Sequence, residues 1–173
     1  VPANVAVECS AQGGQAVDIG QTTATDICDA SPVITNDAPA TFSLGSTTVT
    51  WTATDGSGNS TSGTQTVTVE DTTPPTITLT DPNPVILECN LSSYVEPGFS
   101  VSDICDPNPA VLVTNNIDVS TVGTYAVTYS ATDGSGLNTT VTRTVNVVDT
   151  TSPVITSLSI NGVSTVNGDL NFA

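Results

Sequence analysis

The run "STTVTWTATDGSG" at residues 46–58 returns as "TYAVTYSATDGSG" at 124–136, so that Asp55 falls on Asp133 and Trp51 on Tyr129. In the same register "VTVEDTTPP" (67–75) lands on "VNVVDTTSP" (145–153), and with one gap Asp26 and Asp29 land on Asp103 and Asp106. A period of about 78 residues repeated within one chain dictates two copies of one small module rather than one larger domain. The boundaries follow: 1–72, 73–150, and a remainder at 151–173 that begins like another copy.

Each copy alternates with period two. Val49, Trp51 and Ala53 share one face and Thr48, Thr50 and Thr52 the other; Val67 and Val69 oppose Thr66 and Thr68. That is the signature of half-buried strands, and the abundance of β-branched Thr and Val suits a pleated surface. Gly, Pro, Asn and Asp clusters break the pattern at short intervals, and no window has helical spacing. The expected fold is all-β: two tandem antiparallel β-sandwiches, with Val127, Tyr129, Ala131, Val145 and Val147 inward in the second copy. Arg143, the sole cation, shares that inward parity and is expected at a strand end, paired with a carboxylate; its counterpart is Gln65. The joining segments "EDTTPPT" and "VDTTSPV" hold prolines that fix φ, which predicts short, stiff linkers and modules set end to end.

Composition excludes several functions. One Lys or Arg stands against 17 Asp and Glu, with no His and a net charge of −16, so nucleic acid and anionic membrane surfaces are repelled. Membrane insertion is excluded as well, because no stretch approaches the roughly 18 apolar residues of a spanning helix. Without His, Lys or a Gly-rich phosphate loop, and with no deep cleft expected, the chain lacks a catalytic inventory and reads as a non-enzyme.

Four cysteines fall two per copy. This local, even distribution predicts one disulfide per module, Cys9 with Cys28 and Cys89 with Cys105, and an oxidising compartment outside the cytosol; four buried thiols are the alternative. A zinc site is disfavoured by the long spacings and the missing His.

The segments "YVEPGFSVSDICD" and "VTYSATDGSG…VTRTVNVVDTTSP" together resemble the hyalin-repeat (HYR) domain and related bacterial immunoglobulin-like surface domains. The resemblance extends over both copies up to Pro153. It implies an Ig-like sandwich in an adhesive or architectural protein of the cell surface or extracellular space, with no activity of its own.

The carboxylates also follow the repeat. Glu8, Asp26, Asp29 and Asp55 are expected at one pole of the first module, and Glu88, Asp103, Asp106 and Asp133 at the same pole of the second. Asp18 and Glu96 occupy matched positions nearby, and Asp71 and Asp149 lie in the linkers. Gathered carboxylates repel one another unless protonated or bound to a hard cation with flexible oxygen coordination, so Ca2+ is the expected cofactor and these twelve acids its candidate ligands, with a solvated acidic face as the alternative. "DGSGNST" fails as an EF-hand, since Ser60 stands where glycine is required; "DGSG" is read as a turn.

The second copy opens with "PPTITLT", an additional strand that the first copy lacks, and the tail "SPVITSLSI" (152–160) repeats it. Either the chain is a segment cut from a longer array of such modules, or residues 152–160 fill the open edge of another copy and build a head-to-tail filament. Two Asn-Gly pairs, at 161–162 and 167–168, offer hairpins instead. The expected partners are neighbouring Ig-like modules or identical protomers, with a surface glycan or protein as a further possibility. A carbohydrate-binding module of a secreted enzyme is a third reading, weakened by the inward parity of Trp51 and the scarcity of other aromatics.

Overall fold

The computed structural model describes residues 1–160 and 163–166. The first module is built from β1 (Val5–Glu8), β2 (Val33–Asn36), β3 (Gly45–Thr54) and β4 (Ser60–Glu70), hydrogen-bonded in the order β1-β4-β3-β2. The second comprises β5 (Thr76–Leu79), β6 (Val85–Glu88), β7 (Phe99–Ser102), β8 (Ala110–Asn115), β9 (Gly123–Thr132) and β10 (Asn138–Val148). Its main sheet runs β6-β10-β9-β8, and β5 and β7 form a small opposing sheet. The all-β Ig-like expectation holds. The sheets are mixed rather than wholly antiparallel, because β1 pairs parallel to β4 and β6 parallel to β10.

The parity reading places the core correctly. Val49, Trp51, Val67 and Val69 are buried in the first module, and Val127, Tyr129, Ala131, Val145 and Val147 in the second. Ala53 is only half-buried. Ile77 of β5 and Val85 and Leu87 of β6 complete the second core, against which Phe99 and Val101 of β7 also pack. Hydrophobic burial of this β-branched face is the main driving force for each module.

Arg143 departs from expectation. It pairs with Glu96 at 3.3 Å, as a carboxylate partner was expected, but it lies in the interior of β10 with no exposed side-chain surface. The sheet tolerates it because every part of the guanidinium is engaged. Nε donates to Tyr129 Oη (3.0 Å), Nη1 to the carbonyls of Thr80 (2.7 Å) and Pro82 (2.5 Å), and Nη2 to that of Gly98 (2.7 Å). The first module solves the same position without charge: Gln65 accepts from Trp51 Nε1 (3.0 Å) and donates to the carbonyls of Ala3 (2.6 Å) and Ile19 (3.1 Å).

The first module lacks a counterpart of the β5–β7 sheet. Thr22–Thr25, the counterpart of β7, are not in a strand, and they border a cleft of about 330 Å³ that Trp51 and Ile34 also line. In the tail, β11 (Ser157–Ile160) pairs antiparallel with β12 (Val163–Val166), as a hairpin reading requires. The turn residues 161–162 and the Asn-Gly pair at 167–168 lie outside the described residues.

Candidate functional site: the junction between modules

Parallel pairing decides which groups meet. Because β1 runs alongside the end of β4, Glu8 sits opposite Glu70 and the Cys9 amide donates to the Glu70 carbonyl (2.7 Å). The "TDGSG" turn lies at the other end of β4, an eleven-residue strand that spans on the order of 30 Å. Glu8 therefore does not join Asp26, Asp29 and Asp55, and Glu88 does not join Asp103, Asp106 and Asp133. The expected single pole is two poles: a linker pole holding Glu8, Cys9 and Asp71, and a turn pole holding Asp26, Cys28, Asp29 and Asp55.

The disulfide expectation is corrected for the same reason. Cys9 and Cys28 stand at opposite poles, as do Cys89 and Cys105, far beyond the roughly 7 Å between Cα atoms that a disulfide can bridge. Instead Cys9 is bonded to Cys105, 96 residues away, with their Cα atoms 6.0 Å apart, and Cys28 and Cys89 are free. The linker pole of the first module faces the turn pole of the second. Across that junction Gln12 Nε2 donates to the Asp103 carbonyl (3.4 Å) and Ser135 Oγ to Asp71 Oδ2 (3.1 Å).

Two aspartates flank each turn-pole cysteine because they shape the loop that carries it. Asp103 Oδ1 accepts the amides of Cys105 and Asp106 (both 2.7 Å), and Asp26 Oδ1 accepts those of Cys28 (2.8 Å) and Asp29 (2.9 Å). These are side-chain turns that Asp forms with its own backbone two and three residues on. The following Asp reaches across to the hairpin: Asp106 Oδ2 accepts from Gly134 and Asp29 Oδ2 from Gly56, each at 2.8 Å. The cysteine is thus presented at fixed height beside the hairpin turn. The D-x-C-D spacing was the available signal for this loop, and reading it only as metal-ligand supply missed the backbone role.

The hairpin itself differs between copies. Asp55 Oδ1 accepts the amides of Ser57 (2.9 Å) and Asn59 (2.8 Å), and its Oδ2 accepts Asn59 Nδ2 (2.8 Å); these bonds, the Asn59 side chain first, hold its carboxyl below the usual range. Asp133 Oδ1 makes the equivalent amide bonds to Ser135 and Leu137. Leu137 has no side-chain amide like that of Asn59, so Asp133 Oδ2 has no hydrogen-bond partner although the residue is only 7% exposed. An unpartnered carboxylate oxygen at that depth is costly without a donor or a cation.

Among the described residues, the one group of acids and cysteines with mutually close donor atoms is Asp71, Asp103 and Cys105, within 4.8 Å of one another. The Cys105 sulfur is committed to the disulfide, which leaves Asp71 and Asp103 as oxygen donors. The remaining candidate ligands are dispersed. Glu8 accepts from Thr72 and Thr73, the Thr72 amide foremost in lowering its pKa, and Glu88 accepts from Thr150. Asp18 accepts from the Gly20 amide and Asp149 from Thr151. Glu96 belongs to the Arg143 cluster, where it accepts from Tyr94 and, at 2.6 Å, from Tyr129. Burial raises its pKa, but the bonds from Tyr129, Tyr94 and Gly98 and the Arg143 charge outweigh that and leave it depressed.

Comparison with known proteins agrees with this architecture. Residues 3–69 match the HYR domain, and residues 77–147 match the bacterial surface protein Ig-like domain. Hyalin of Lytechinus variegatus is 39% identical over 126 residues, covering 66% of this chain and 23% of that protein. Hyalin of Strongylocentrotus purpuratus is 38% identical over 137 residues, covering 70% of this chain and 11% of its own length. The chain thus spans less than a quarter of either hyalin. A crystal structure of a Bacteroides thetaiotaomicron lipoprotein is similar at 31% identity over 48% of this chain and 42% of that one, with a TM-score of 0.39. The chain is a tandem of immunoglobulin-like modules, the first similar to the HYR domain and the second to the bacterial surface protein Ig-like domain.

Proposed function

We propose that this chain is a non-catalytic structural or adhesive segment of a secreted or cell-surface protein, and that the junction between its modules is the working part. What supports this reading is the covalent and hydrogen-bonded clip across the junction, Cys9 to Cys105 and Asp71 to Ser135, which holds two small sandwiches as one rod. A disulfide belongs to an oxidising compartment, and no helix of the described residues is long and apolar enough to cross a membrane. The neighbouring modules themselves are the first partners.

Calcium is the ion that suits this junction. Asp71 and Asp103 supply hard oxygen donors, and the buried Oδ2 of Asp133 lies two residues from Ser135, which bonds Asp71. Bound there, Ca2+ would supply positive charge that offsets the repulsion among these carboxylates. The test is calorimetry with calcium or with chelator. The wild-type melting temperature should rise with calcium, and Leu137→Asn, which gives Asp133 the amide that Asp55 already has, should shrink that rise. Equal melting with and without chelator would leave the junction as disulfide and hydrogen bonds alone.

A second reading, assembly by strand donation, has its own observations. Val154 and Ile155 are 81% and 75% exposed, whereas Ile77, which occupies the place of Ile155 in the second module, is 8% exposed. The cleft beside Thr22–Thr25 stands where β5 lies against β7 in the second module. Of the donor segment 152–160, residues 153–156 lie ahead of the β11–β12 hairpin, and fitted there from another copy they would bury both apolar surfaces and add backbone pairing beside Thr22–Thr25. Sedimentation of the purified chain tests it: association that grows with concentration and is lost on Ile155→Asp supports donation, and a monomer at all concentrations refutes it.

A further inference from the structure

We infer that Cys28 and Cys89 are the two halves of a second inter-module disulfide, Cys89 of one copy bonding Cys28 of the next so that copies are locked head to tail.

The internal junction is the precedent, and both outer poles reproduce its halves. On the linker side, the Cys89 amide donates to the Val148 carbonyl (2.8 Å) as Cys9 does to Glu70 (2.7 Å). Thr150 binds Glu88 through its amide and hydroxyl, both at 2.8 Å, as Thr72 binds Glu8 at 2.9 and 2.8 Å. On the turn side, the loop that presents Cys28 has the same carboxylate-to-amide bonds as the loop that presents Cys105, each bridged to its hairpin at 2.8 Å. Neither free cysteine has a bonded partner within its own chain.

Differences in burial show what docking does to this face. Ile104, beside the bonded Cys105, is 55% exposed, and its counterpart Ile27 is 101% exposed. Asp103 is half-buried where Asp26 is exposed, and Cys105 half-buried where Cys28 is exposed. The turn pole of the first module thus has the build of the second module's pole and is the more exposed of the two. The partner of matching chemistry is a linker pole with a free cysteine beside "DTTSP" and an apolar segment that is in no strand, and this chain carries one at 149–156 next to Cys89, which is half-buried with its thiol donating to the Ser120 carbonyl (3.3 Å) as Cys9 Sγ lies 3.5 Å from that of Ala11. The inference rests on the head-to-tail reading above, because residues 153–156 entering the cleft by Thr22–Thr25 would bring Cys89 to Cys28 as the linker and β5 bring Cys9 to Cys105.

The bond forms by thiol–disulfide exchange with a small disulfide such as oxidised glutathione. One protein thiolate attacks it and releases one glutathione, and the second displaces the other; two protons and two electrons leave the cysteines and reduce one glutathione disulfide to two thiols.

The experiment uses the full chain in a glutathione redox buffer, read on denaturing gels without reductant. The wild type should form a ladder of multiples that collapses to monomer on reduction. Neither Cys28→Ser nor Cys89→Ser should form a ladder, and the two variants mixed should give one dimer. That dimer should exceed the symmetric dimers of either variant by about tenfold, the ratio that about 1.4 kcal/mol of docking confers. Peptide mapping should find Cys28 joined to Cys89. A wild type that remains monomeric, or a mixture giving no more dimer than each variant alone, overturns the proposal. Sedimentation of the double Cys28→Ser, Cys89→Ser variant reports separately on strand donation: association there without a Cys28–Cys89 bond in the wild type sinks the covalent lock and leaves donation standing.

Discussion

At the scale of single residues, the second module depends on a buried cation that a net charge of −16 makes easy to overlook. Arg143 ties β10 to the carbonyls of Thr80, Pro82 and Gly98, and Glu96 closes the cluster. Arg143→Leu should destabilise this module by about 3 kcal/mol in urea titration, because it strands the carboxylate and several carbonyls at once. Arg143→Gln, the residue of the first module, should cost less. Glu96 also sets a pH dependence. Its folded pKa lies below the usual 4.5, so its stabilisation is fully present above that value and is lost as pH falls through the folded value. Thermal melts between pH 3 and 7, a window chosen to bracket about 4.5, should fall more steeply at the acid end for wild type than for Glu96→Gln. Identical slopes would remove Glu96 from the account.

At the scale of elements, the first module holds together without the small sheet of the second. Its loop at Gly14 instead closes on Phe42 through the Gln15–Phe42 bridge. A Cβ on Gly14 would stand 2.9 Å from the Phe42 carbonyl oxygen, and the residue has φ of +112°. Gly14→Ala should therefore cost about 1–3 kcal/mol, readable as a lower urea midpoint, while Gly13→Ala, which meets no atom within 4 Å, reports the cost of positive φ alone. The parallel pairing of β1 and β6 is the other decision at this scale. It sends Glu8 and Cys9, and Glu88 and Cys89, to the end of the module opposite the hairpin turns.

At the scale of the whole molecule, that pairing makes the cysteines connectors between modules rather than staples within them. Cys105→Ser should lower the melting of the first sandwich slightly, because Cys9 belongs to its core and Cys105 packs against it, and leave that of the second nearly unchanged. The variant should widen the distribution of inter-module distances in small-angle scattering. If each module instead lost several degrees of stability, the disulfide would have to be counted as part of the folds themselves.

The sequence by itself determined the repeat, the all-β class and the inward face of the four long strands β3, β4, β9 and β10, because alternation of Val, Trp and Tyr with Thr is a local property that burial reads directly. It also determined that hairpins form at the two "DGSG" runs, where backbone geometry selects the residues. Tertiary structure alone decided which acids meet and which cysteines bond. Those depend on strand direction, and β1 has the same alternation whether it pairs parallel or antiparallel to β4. The burial of Arg143 was likewise beyond a local reading, since its carbonyl acceptors come from loops 45 to 63 residues away in the chain. The number of acids suggests calcium, but most of their oxygens shape loops, and those left for the proposed ion are on Asp71 and Asp103, with the unpartnered one on Asp133.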